Sequence, residues 1–347
     1  MITREKEPPN LEMPVSALES FVTPNERFYI RCHFPIPKIN ERDWRLKVEG
    51  KVARSFEVTM DDLRQMPTHT ITATLECAGN SRVFLVPKVK GVQWELGAVG
   101  NAEWTGVRLC ELLQRADIAK EAREIILEGA DSGAIAEPPR PAGKINFARS
   151  VPLEKAMDDV LLAFAMNGEP LSAAHGFPLR AVVPGWYGMA SIKWLQRMII
   201  TDQPFNGYYQ SIDYAFWRRD EAGPALVPLT TMQVKAEIAR PENNELIRAN
   251  ENYTVKGAAW TGDAEVTKVE VTFDGGKSWG EATLKDDSIK NAWRLWAFEW
   301  RRPAPGSYTL MARATDSRGR IQPMERDANG GTYMINHCLP IEVEVRL

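Results

Sequence analysis

Ile71-Thr-Ala-Thr-Leu-Glu-Cys77-Ala-Gly-Asn-Ser-Arg82 is the stretch of sequence that decides the fold. Its first half has the β-branched residues of a strand, and the Ala-Gly-Asn sequence after Cys77 is typical of a turn. A thiol at this point would lie at a rigid strand end, open to a cavity because the residues after it are small. The cation of Arg82 would favour the thiolate, so the pattern predicts a soft metal ligand. A single free cysteine is otherwise more often a buried core residue.

The composition excludes several classes of protein. The chain has 347 residues, 44% hydrophobic and 26% charged, with a formal net charge of -3 and a pI of about 6.0. This is ordinary globular material, long enough for two domains. The slight negative charge argues against nucleic-acid binding, so any anionic ligand must be held by a local cluster of basic residues.

The beginning of the chain has no targeting pattern. Charges and prolines occupy the first ten residues, where a signal peptide would have an apolar core, and no apolar run approaches the roughly 18 residues of a membrane helix. We therefore expect no membrane association and a cytoplasmic protein, or a periplasmic one if a leader has been removed.

The cysteines are dispersed and form no known cofactor motif. Neither a Cys-x-x-Cys pair nor a haem-attachment sequence is present, and the four histidines add no zinc pattern. The chain thus offers no haem site for electron transfer, and we expect it to use a separate electron acceptor or donor. The four cysteines are Cys32, Cys77, Cys110 and Cys338.

Residues 1–227 have the pattern of a mixed α+β domain. Helix-start signals precede apolar-periodic segments at 60–65, 108–116 and 152–160. A doubly wound parallel sheet is not expected, because regular strand–helix alternation and a glycine-rich phosphate loop are both missing. Alternating or continuous apolar runs predict strands at 28–33, 44–50, 56–59, 125–127 and 179–183.

Residues 228–347 lack helical periodicity and predict an all-β domain. Short strands recur between turn signals, and Asp274-Gly-Gly276 is a strong hairpin sequence because its turn needs positive φ. This spacing is typical of an antiparallel β-sandwich of immunoglobulin-like architecture. The predicted strands are 253–257, 266–273, 293–300, 308–314 and 341–345.

Basic residues and histidines accompany Cys77 in the first domain. Arg31 and His33 share one face of the predicted strand 28–33, and the glycine-rich run from His175 to Trp194 carries Arg180 and Lys193. Backbone amides at glycines together with spaced cations suit a phosphate-bearing heterocyclic ligand. Taken singly, each histidine is more often structural, and Trp94 would be a core aromatic.

These segments, taken together and in order, resemble the sulfite oxidase family of molybdenum-cofactor enzymes. The resemblance spans most of residues 25–220 and continues into the second domain, which is similar to the family's C-terminal dimerisation domain. The matching segments are Phe28-Tyr-Ile-Arg-Cys-His33, Thr72 to Arg82, Val89-Lys-Gly-Val-Gln-Trp94, Ala165-Met-Asn-Gly-Glu-Pro-Leu171, His175-Gly-Phe-Pro-Leu-Arg180, Val183-Pro-Gly185, Ile192-Lys-Trp-Leu195, Val255 to Trp260, Val269 to Trp279 and Ala314 to Pro323.

The resemblance implies a mononuclear molybdenum held by one molybdopterin and by the thiolate of Cys77. It implies a homodimer and the oxidation of sulfite to sulfate by oxo transfer. It also assigns roles to eight further residues: His33, His175, Arg180 and Lys193 would contact the pterin and its phosphate, Arg31 and Arg82 would draw an oxyanion to the metal, Trp94 would form a pocket wall, and Tyr214 would be the active-site tyrosine.

One departure from the family puts the substrate in question. Sulfite-oxidising members carry a further pocket arginine near the end of the second domain, where this chain has Ile341 or its neighbours. His337 could replace that cation, with sulfite as substrate. Alternatively, the chain reduces nitrate or an S-oxide, since Asn336-His-Cys338 loosely resembles the nitrate-reducing branch. A third possibility is a catalytically idle homologue that binds the cofactor or is purely structural.

Overall fold

Strands dominate both parts of the chain in the computed structural model, which describes residues 1–221, 223–285 and 287–347. In the first part the strands are β1 Ile2–Glu5, β2 Asn10–Glu12, β3 Ile30–Arg31, β4 Leu46–Gly50, β5 Phe56–Val58, β6 His69–Glu76, β7 Val99–Arg108, β8 Glu124–Ala134, β9 Lys144–Pro152, β10 Leu161–Met166, β11 Glu169–Pro170, β12 Arg180–Val182, β13 Leu195–Thr201, β14 Ala215–Asp220 and β15 Gly223–Pro228.

Three short α-helices form where the sequence predicts them. They are α1 Met60–Arg64, α2 Leu109–Leu113 and α3 Leu153–Asp158. Thr59 begins α1 with a capping box, in which its hydroxyl accepts from the backbone of Asp62 and the Asp62 carboxylate accepts from the backbone of Thr59. None of the helices in the described part of the chain is long and apolar enough to cross a membrane.

Two sheets build most of the first part. One has the strand order β11-β10-β7-β6, with β12 also paired to β10, and the other has the order β5-β4-β13-β8-β9. The first part is therefore more β-rich than the α+β prediction suggested. The apolar runs 161–166 and 195–201 form buried strands β10 and β13, and each α-helix has only five or six residues.

The predicted strand at 28–33 is shorter than expected. Only Ile30 and Arg31 pair with β2, through Leu11 and Asn10, and the chain leaves the sheet before His33. Arg31 and His33 therefore do not share a strand face, which corrects the expectation from the sequence. They reach the same region because the chain bends after β3.

The second part consists of two sheets around a common apolar core. Their strand orders are β16-β18-β22-β21 and β17-β24-β23-β19-β20. The hairpin at Asp274 forms as predicted, with φ of +71° at Gly275 and +91° at Gly276. The strands are β16 Lys235–Arg240, β17 Leu246–Arg248, β18 Tyr253–Trp260, β19 Val266–Thr272, β20 Gly280–Glu281, β21 Thr283–Leu284, β22 Arg294–Trp300, β23 Gly306–Asp316 and β24 Ile341–Arg346.

A buried ionic cluster joins the two parts. The Lys235 ammonium, on β16, lies 3.1 Å from a carboxylate oxygen of Glu76 at the end of β6 and 2.9 Å from one of Glu237. It also donates to the hydroxyl of Ser81 at 2.9 Å, while the Trp260 indole donates to the other oxygen of Glu76 at 2.9 Å. Because Glu76 directly precedes Cys77, the second part of the chain fixes the strand end that carries the thiol.

Burial disfavours every charge of this cluster, and the oppositely charged partners offset that cost. It disfavours the ammonium of Lys235, but Glu237 and Glu76 outweigh it and raise the pKa of that lysine. Burial raises the pKa of Glu237 to about 7, against the attraction of Lys235. Each charge is thus tolerated only because its partners are present.

Replacing the central cation should test this dependence. Lys235→Met leaves two buried carboxylates without a counter-ion, and we expect the free energy of unfolding to fall by about 3–5 kcal/mol, measured by urea denaturation. The matched control is Lys268→Met, whose half-exposed ammonium lies 3.2 Å from Glu270. That change should cost less than about 1 kcal/mol. Equal losses of unfolding free energy in the two variants would show that the buried cluster stabilises the protein no more than an ordinary surface ion pair.

Candidate active site

A cavity opens beside the end of β6 and is rich in ionisable side chains. Its walls come from β3, from the bend after β3, from residues 174–194 and from the segment before β14. Seven of the nine site residues predicted from the sequence line it: Arg31, His33, Cys77, His175, Arg180, Lys193 and Tyr214.

Cys77 directly follows the last residue of β6, as the sequence predicts. Its backbone N–H donates to the carbonyl of Ala98 at 2.8 Å, and its carbonyl accepts from the backbone of Asn80 at 2.8 Å. The turn continues through Ser81 with a left-handed φ of 73°. These bonds hold the thiol at a rigid strand end facing the cavity.

The free thiol is not activated in the way that the sequence suggested. Burial raises the pKa of Cys77 and outweighs the opposing attraction of Arg31 and Arg82. The expectation of a cation-driven thiolate is therefore wrong for the unligated protein, because desolvation is the larger effect. A metal ion at this position would have to displace the thiol proton on binding.

Tyr214 and His33 form one hydrogen-bonded unit. The Tyr214 hydroxyl lies 2.7 Å from Nε2 of His33, whose ring stacks on Phe147 with centroids 4.2 Å apart. Burial lowers the pKa of His33 well below its usual value and raises that of Tyr214. Both groups are therefore neutral near pH 7, and the imidazole orients the phenol rather than charging the cavity.

Arg31 supplies a permanent charge to the cavity. Its guanidinium donates to the carbonyl of Cys32 and, at 3.3 Å, to the side-chain oxygen of Asn10. Burial disfavours the charge, but Tyr214 and Cys77 keep the pKa of Arg31 above its usual value. The side chain is anchored by these acceptors while it faces the same space as the thiol.

His175 and Arg180 form a rigid wall. A guanidinium N–H of Arg180 donates to the carbonyl of His175 at 3.1 Å, and another donates to that of Ser191 at 3.2 Å. The guanidinium also stacks on Trp104, 4.7 Å from the ring centroid. Burial lowers the pKa of His175 to about 4 and that of Arg180 to about 10.

Lys193 completes this basic side of the cavity. Its ammonium donates to the carbonyl of Ala174 at 2.8 Å and to the sulfur of Cys32 at 3.3 Å, and it lies over the ring of Trp194. Burial lowers the pKa of Lys193. A lowered pKa on a buried cation means that burial disfavours its charged form. A bound anion would stabilise that charge and offset the cost of desolvating it.

Asp131 is a lining residue that the sequence analysis missed. It is 4% exposed, and burial raises its pKa to about 7, against the attraction of Lys193. It lies in β8 where the register against β9 shifts between Glu128 and Ser132. The only signal in the sequence was a carboxylate within a strand, which is also common on exposed faces.

Arg82 and Trp94 lie outside the cavity lining. The Arg82 guanidinium donates to the carbonyl of Thr332 at 3.1 Å and of Val92 at 2.8 Å. It packs where a Cβ at Gly79 would lie, 2.2 Å from the guanidinium. Trp94 is fully buried in the apolar cluster that contains Cys77. The sequence places both residues near the thiol, but their side chains pack behind its turn and not on the cavity wall.

His337 and Ile341 are not among the residues that line the cavity containing Cys77. Ile341 lies in β24, in the core of the second part. His337 is half-buried and lines a separate groove. Burial, with a smaller effect of Lys235, lowers the pKa of His337. The imidazole is therefore neutral near pH 7 and does not supply the missing cation.

Tyr333 is the residue of the second part that reaches the site. Its ring centroid lies 5.0 Å from that of Tyr214, and the guanidinium of Arg82 lies 5.1 Å above it. The backbone of the next residue, Met334, donates to the carbonyl of Ala78 at 3.0 Å, which fixes this segment against the Cys77 turn. No sequence motif identified Tyr333.

The donor set of the cavity suits a group that carries both a soft metal and a phosphate. Cys77 is the soft donor, and three cations with two neutral imidazoles surround it. The absence of a Cβ at Gly176, where φ is +109°, lets the wall approach Lys193 closely. The residues present therefore fit a molybdopterin that binds molybdenum.

Family models match nearly the whole chain. Residues 33–209 match the oxidoreductase molybdopterin binding domain, and residues 227–345 match the Mo-co oxidoreductase dimerisation domain. The first match contains Cys77 and the basic wall from His175 to Lys193, and the second contains the segment that carries Tyr333.

Whole-length comparisons agree with these matches. Mitochondrial sulfite oxidases are 36% identical in Drosophila melanogaster and 35% identical in Homo sapiens, over 92% and 91% of this chain, which spans 58% and 60% of those relatives. The NADPH nitrate reductase of Emericella nidulans is 33% identical over 92% of the chain and 41% of the relative.

A solved structure is similar over the full chain. The sulfane dehydrogenase SoxCD from Paracoccus pantotrophus superposes with a TM-score of 0.86 at 29% identity, covering 100% of this chain and 89% of that one. Fold, cavity chemistry and sequence relatives agree: the chain belongs to the sulfite oxidase family of molybdopterin-dependent oxidoreductases.

Proposed function

We propose that this chain oxidises sulfite to sulfate at a molybdenum that Cys77 ligates. The observation that carries the proposal is the convergence of one strand-end thiol, one anchored arginine and one protonated tyrosine on a single cavity. The sulfite oxidases among the relatives support the choice of substrate. When bound, the molybdenum cofactor supplies two-electron oxo transfer.

The protein's part in this proposal begins with binding the cofactor. Cys77 gives up its thiol proton and binds the metal, because a thiolate is the soft ligand that such a metal selects. Arg180 and Lys193, together with His175, bind the pterin and its phosphate. Their main-chain hydrogen bonds hold them in place beforehand, so little ordering is needed on binding.

Arg31 and Tyr214 have different roles toward the substrate. Arg31 attracts and orients the oxyanion, since its charge persists at every physiological pH. The hydroxyl of Tyr214 keeps its proton because burial raises its pKa. The hydrogen bond with Nε2 of His33 fixes the orientation of this hydroxyl. Arg82 acts from behind the Cys77 turn, where it joins the turn to the second domain and adds positive potential.

Reduction of nitrate or of an S-oxide is the second candidate. It is favoured because, among the described residues, the second domain contributes no arginine to the cavity lining. Tyr333 lies beside Tyr214, where its aromatic ring makes that side of the site less cationic. A steady-state panel separates the two directions. Sulfite should be turned over with ferricyanide as acceptor, whereas nitrate and dimethyl sulfoxide should give little turnover with reduced viologen as donor. The reverse pattern would overturn sulfite oxidation in favour of the reductase.

The remaining parts of the proposal concern partners. A separate electron carrier accepts the electrons, and the second domain, which we take to be an immunoglobulin-like sandwich, mediates a homodimer. The match of residues 227–345 to a dimerisation domain supports the homodimer.

We expect Cys77→Ser to fold but to lose molybdenum, because a hydroxyl is a hard and poorly ionised donor. Circular dichroism should be unchanged, while metal content and turnover should each fall at least about 100-fold. Cys110→Ser, at a half-buried cysteine outside the cavity, is the matched control and should keep its metal. Retained molybdenum in Cys77→Ser would remove Cys77 as the ligand.

Arg31→Gln should separate charged from neutral substrates. Losing a charge-assisted contact should raise the KM for sulfite about 10- to 100-fold. It should change the dissociation constant for dimethyl sulfoxide less than about threefold, because a neutral ligand gains little from the charge. Arg42→Gln, at an exposed site, controls for net charge. Equal losses for sulfite and dimethyl sulfoxide would indicate a structural role for Arg31.

Sedimentation velocity tests the homodimer directly. At micromolar concentration the holoenzyme should sediment as a dimer of two 39.1 kDa chains. Removing the cofactor should leave the dimer intact, because the second domain has its own apolar core. A monomer under these conditions would contradict the assignment of the second domain as the dimerisation surface.

A further inference from the structure

Asp213 places a carboxylate next to the proposed substrate site. It is the last residue of a π-helical turn, Tyr209–Asp213, and it immediately precedes Tyr214, which lines the cavity. The Asp213 side chain is half-buried and is not itself among the residues that line the cavity.

Tyr333 connects this carboxylate to the proposed anion-attracting residues. Its hydroxyl donates to Oδ1 of Asp213 at 3.3 Å, and its ring packs against both Tyr214 and the guanidinium of Arg82. The segment that carries it is fixed at both neighbouring residues, through the carbonyl of Thr332 and the backbone N–H of Met334. Tyr333 is therefore a rigid holder for the Asp213 carboxylate.

The electrostatics of the site agree with this geometry. Burial raises the pKa of Asp213. Arg31, the hydrogen bond from Tyr333, Arg82 and Arg149 oppose that effect. The interaction is mutual: a carboxylate on which Arg31 and Arg82 act also reduces the positive potential that they present to a ligand. The site therefore contains its own counter-charge.

We infer that Asp213, held by Tyr333, determines specificity by ligand charge, so that the site prefers monoanions and neutral oxo-compounds to dianions. This inference rests on the proposed oxo-transfer site and specifies the substrate class that it admits. Sulfite would enter as the monoanion, and the dianionic product sulfate would be held weakly and released. Coulomb's law makes the repulsion proportional to the charge of the ligand, so the carboxylate penalises a dianion twice as much in free energy.

The test measures binding to the holoenzyme by isothermal titration calorimetry with three ligands of different charge: sulfate, nitrate and dimethyl sulfoxide. Asp213→Asn keeps an oxygen that can accept from Tyr333 but removes the charge. We expect it to tighten sulfate binding about tenfold, to tighten nitrate binding about threefold and to leave dimethyl sulfoxide unchanged. Tyr333→Phe removes the hydrogen bond that holds the carboxylate. It should tighten binding by smaller factors, again most for sulfate, less for nitrate and not at all for dimethyl sulfoxide.

Two controls separate this effect from general changes. Asp61→Asn makes the same change in net charge at a side chain that is 86% exposed on α1, and it should alter no affinity. Tyr308→Phe removes a phenol hydroxyl that donates to Ala304 in the second domain, away from the cavity. Thermal unfolding of each variant reports whether the fold is intact.

The outcomes are distinct from those that test sulfite oxidation. If affinities in Asp213→Asn follow ligand charge while no sulfite is oxidised, the charge filter holds and the proposed function fails. Equal changes for all three ligands, or no change for sulfate, would overturn the filter even in an active enzyme. If Asp213→Asn unfolds, the sulfate affinity of Tyr333→Phe becomes the test. An unchanged sulfate affinity in that variant would overturn the inference.

Discussion

The buried contact between Lys235 and Glu76 is the constraint on which the site depends. Glu76 ends β6 and is followed at once by Cys77, so the position of the thiol is determined by an ammonium from the second domain. An ionic group that is 2% exposed is tolerated only with all its partners, and here Glu237, Ser81 and Trp260 complete the set. The two domains are thus joined by charges that neither could bury alone.

The cavity combines groups whose charges are poorly solvated in the absence of a ligand. Arg180, His175 and Lys193 all have pKa values lowered by burial, and main-chain carbonyls supply their hydrogen bonds. A site of this kind is organised for an anion before the anion binds, because the cost of desolvating the cations has been met by folding. Rigid stacking on Trp104 and Trp194 adds to this preorganisation.

The opposite side of the site is shaped by neutral and aromatic groups. His33 and Tyr214 hold one another as neutral partners, and Tyr333 of the second domain packs against Tyr214 and Arg82. The second domain therefore contributes a side chain beside the cavity. In the function that we propose, the cationic wall holds the cofactor and Asp213 moderates the charge on the substrate side, so that the two can be adjusted independently.

The sequence by itself determined the features that depend on local pattern. The strand before Cys77, the three short helices and the glycine turn at Asp274 follow from β-branched runs, capping residues and positive φ, and the ordered motifs identified the family. Seven of the nine predicted site residues, which belong to those motifs, line one cavity. Tertiary structure alone decided the rest. Arg82 packs against Gly79 and not on the cavity wall. At Cys77 the effect of burial on the pKa of the thiol is larger than that of the nearby cations. His337 lines another groove. Asp131 and Tyr333 reach the site through a shift in strand register and through domain contacts, which no local pattern encodes, because desolvation and long-range packing depend on residues far apart in the chain.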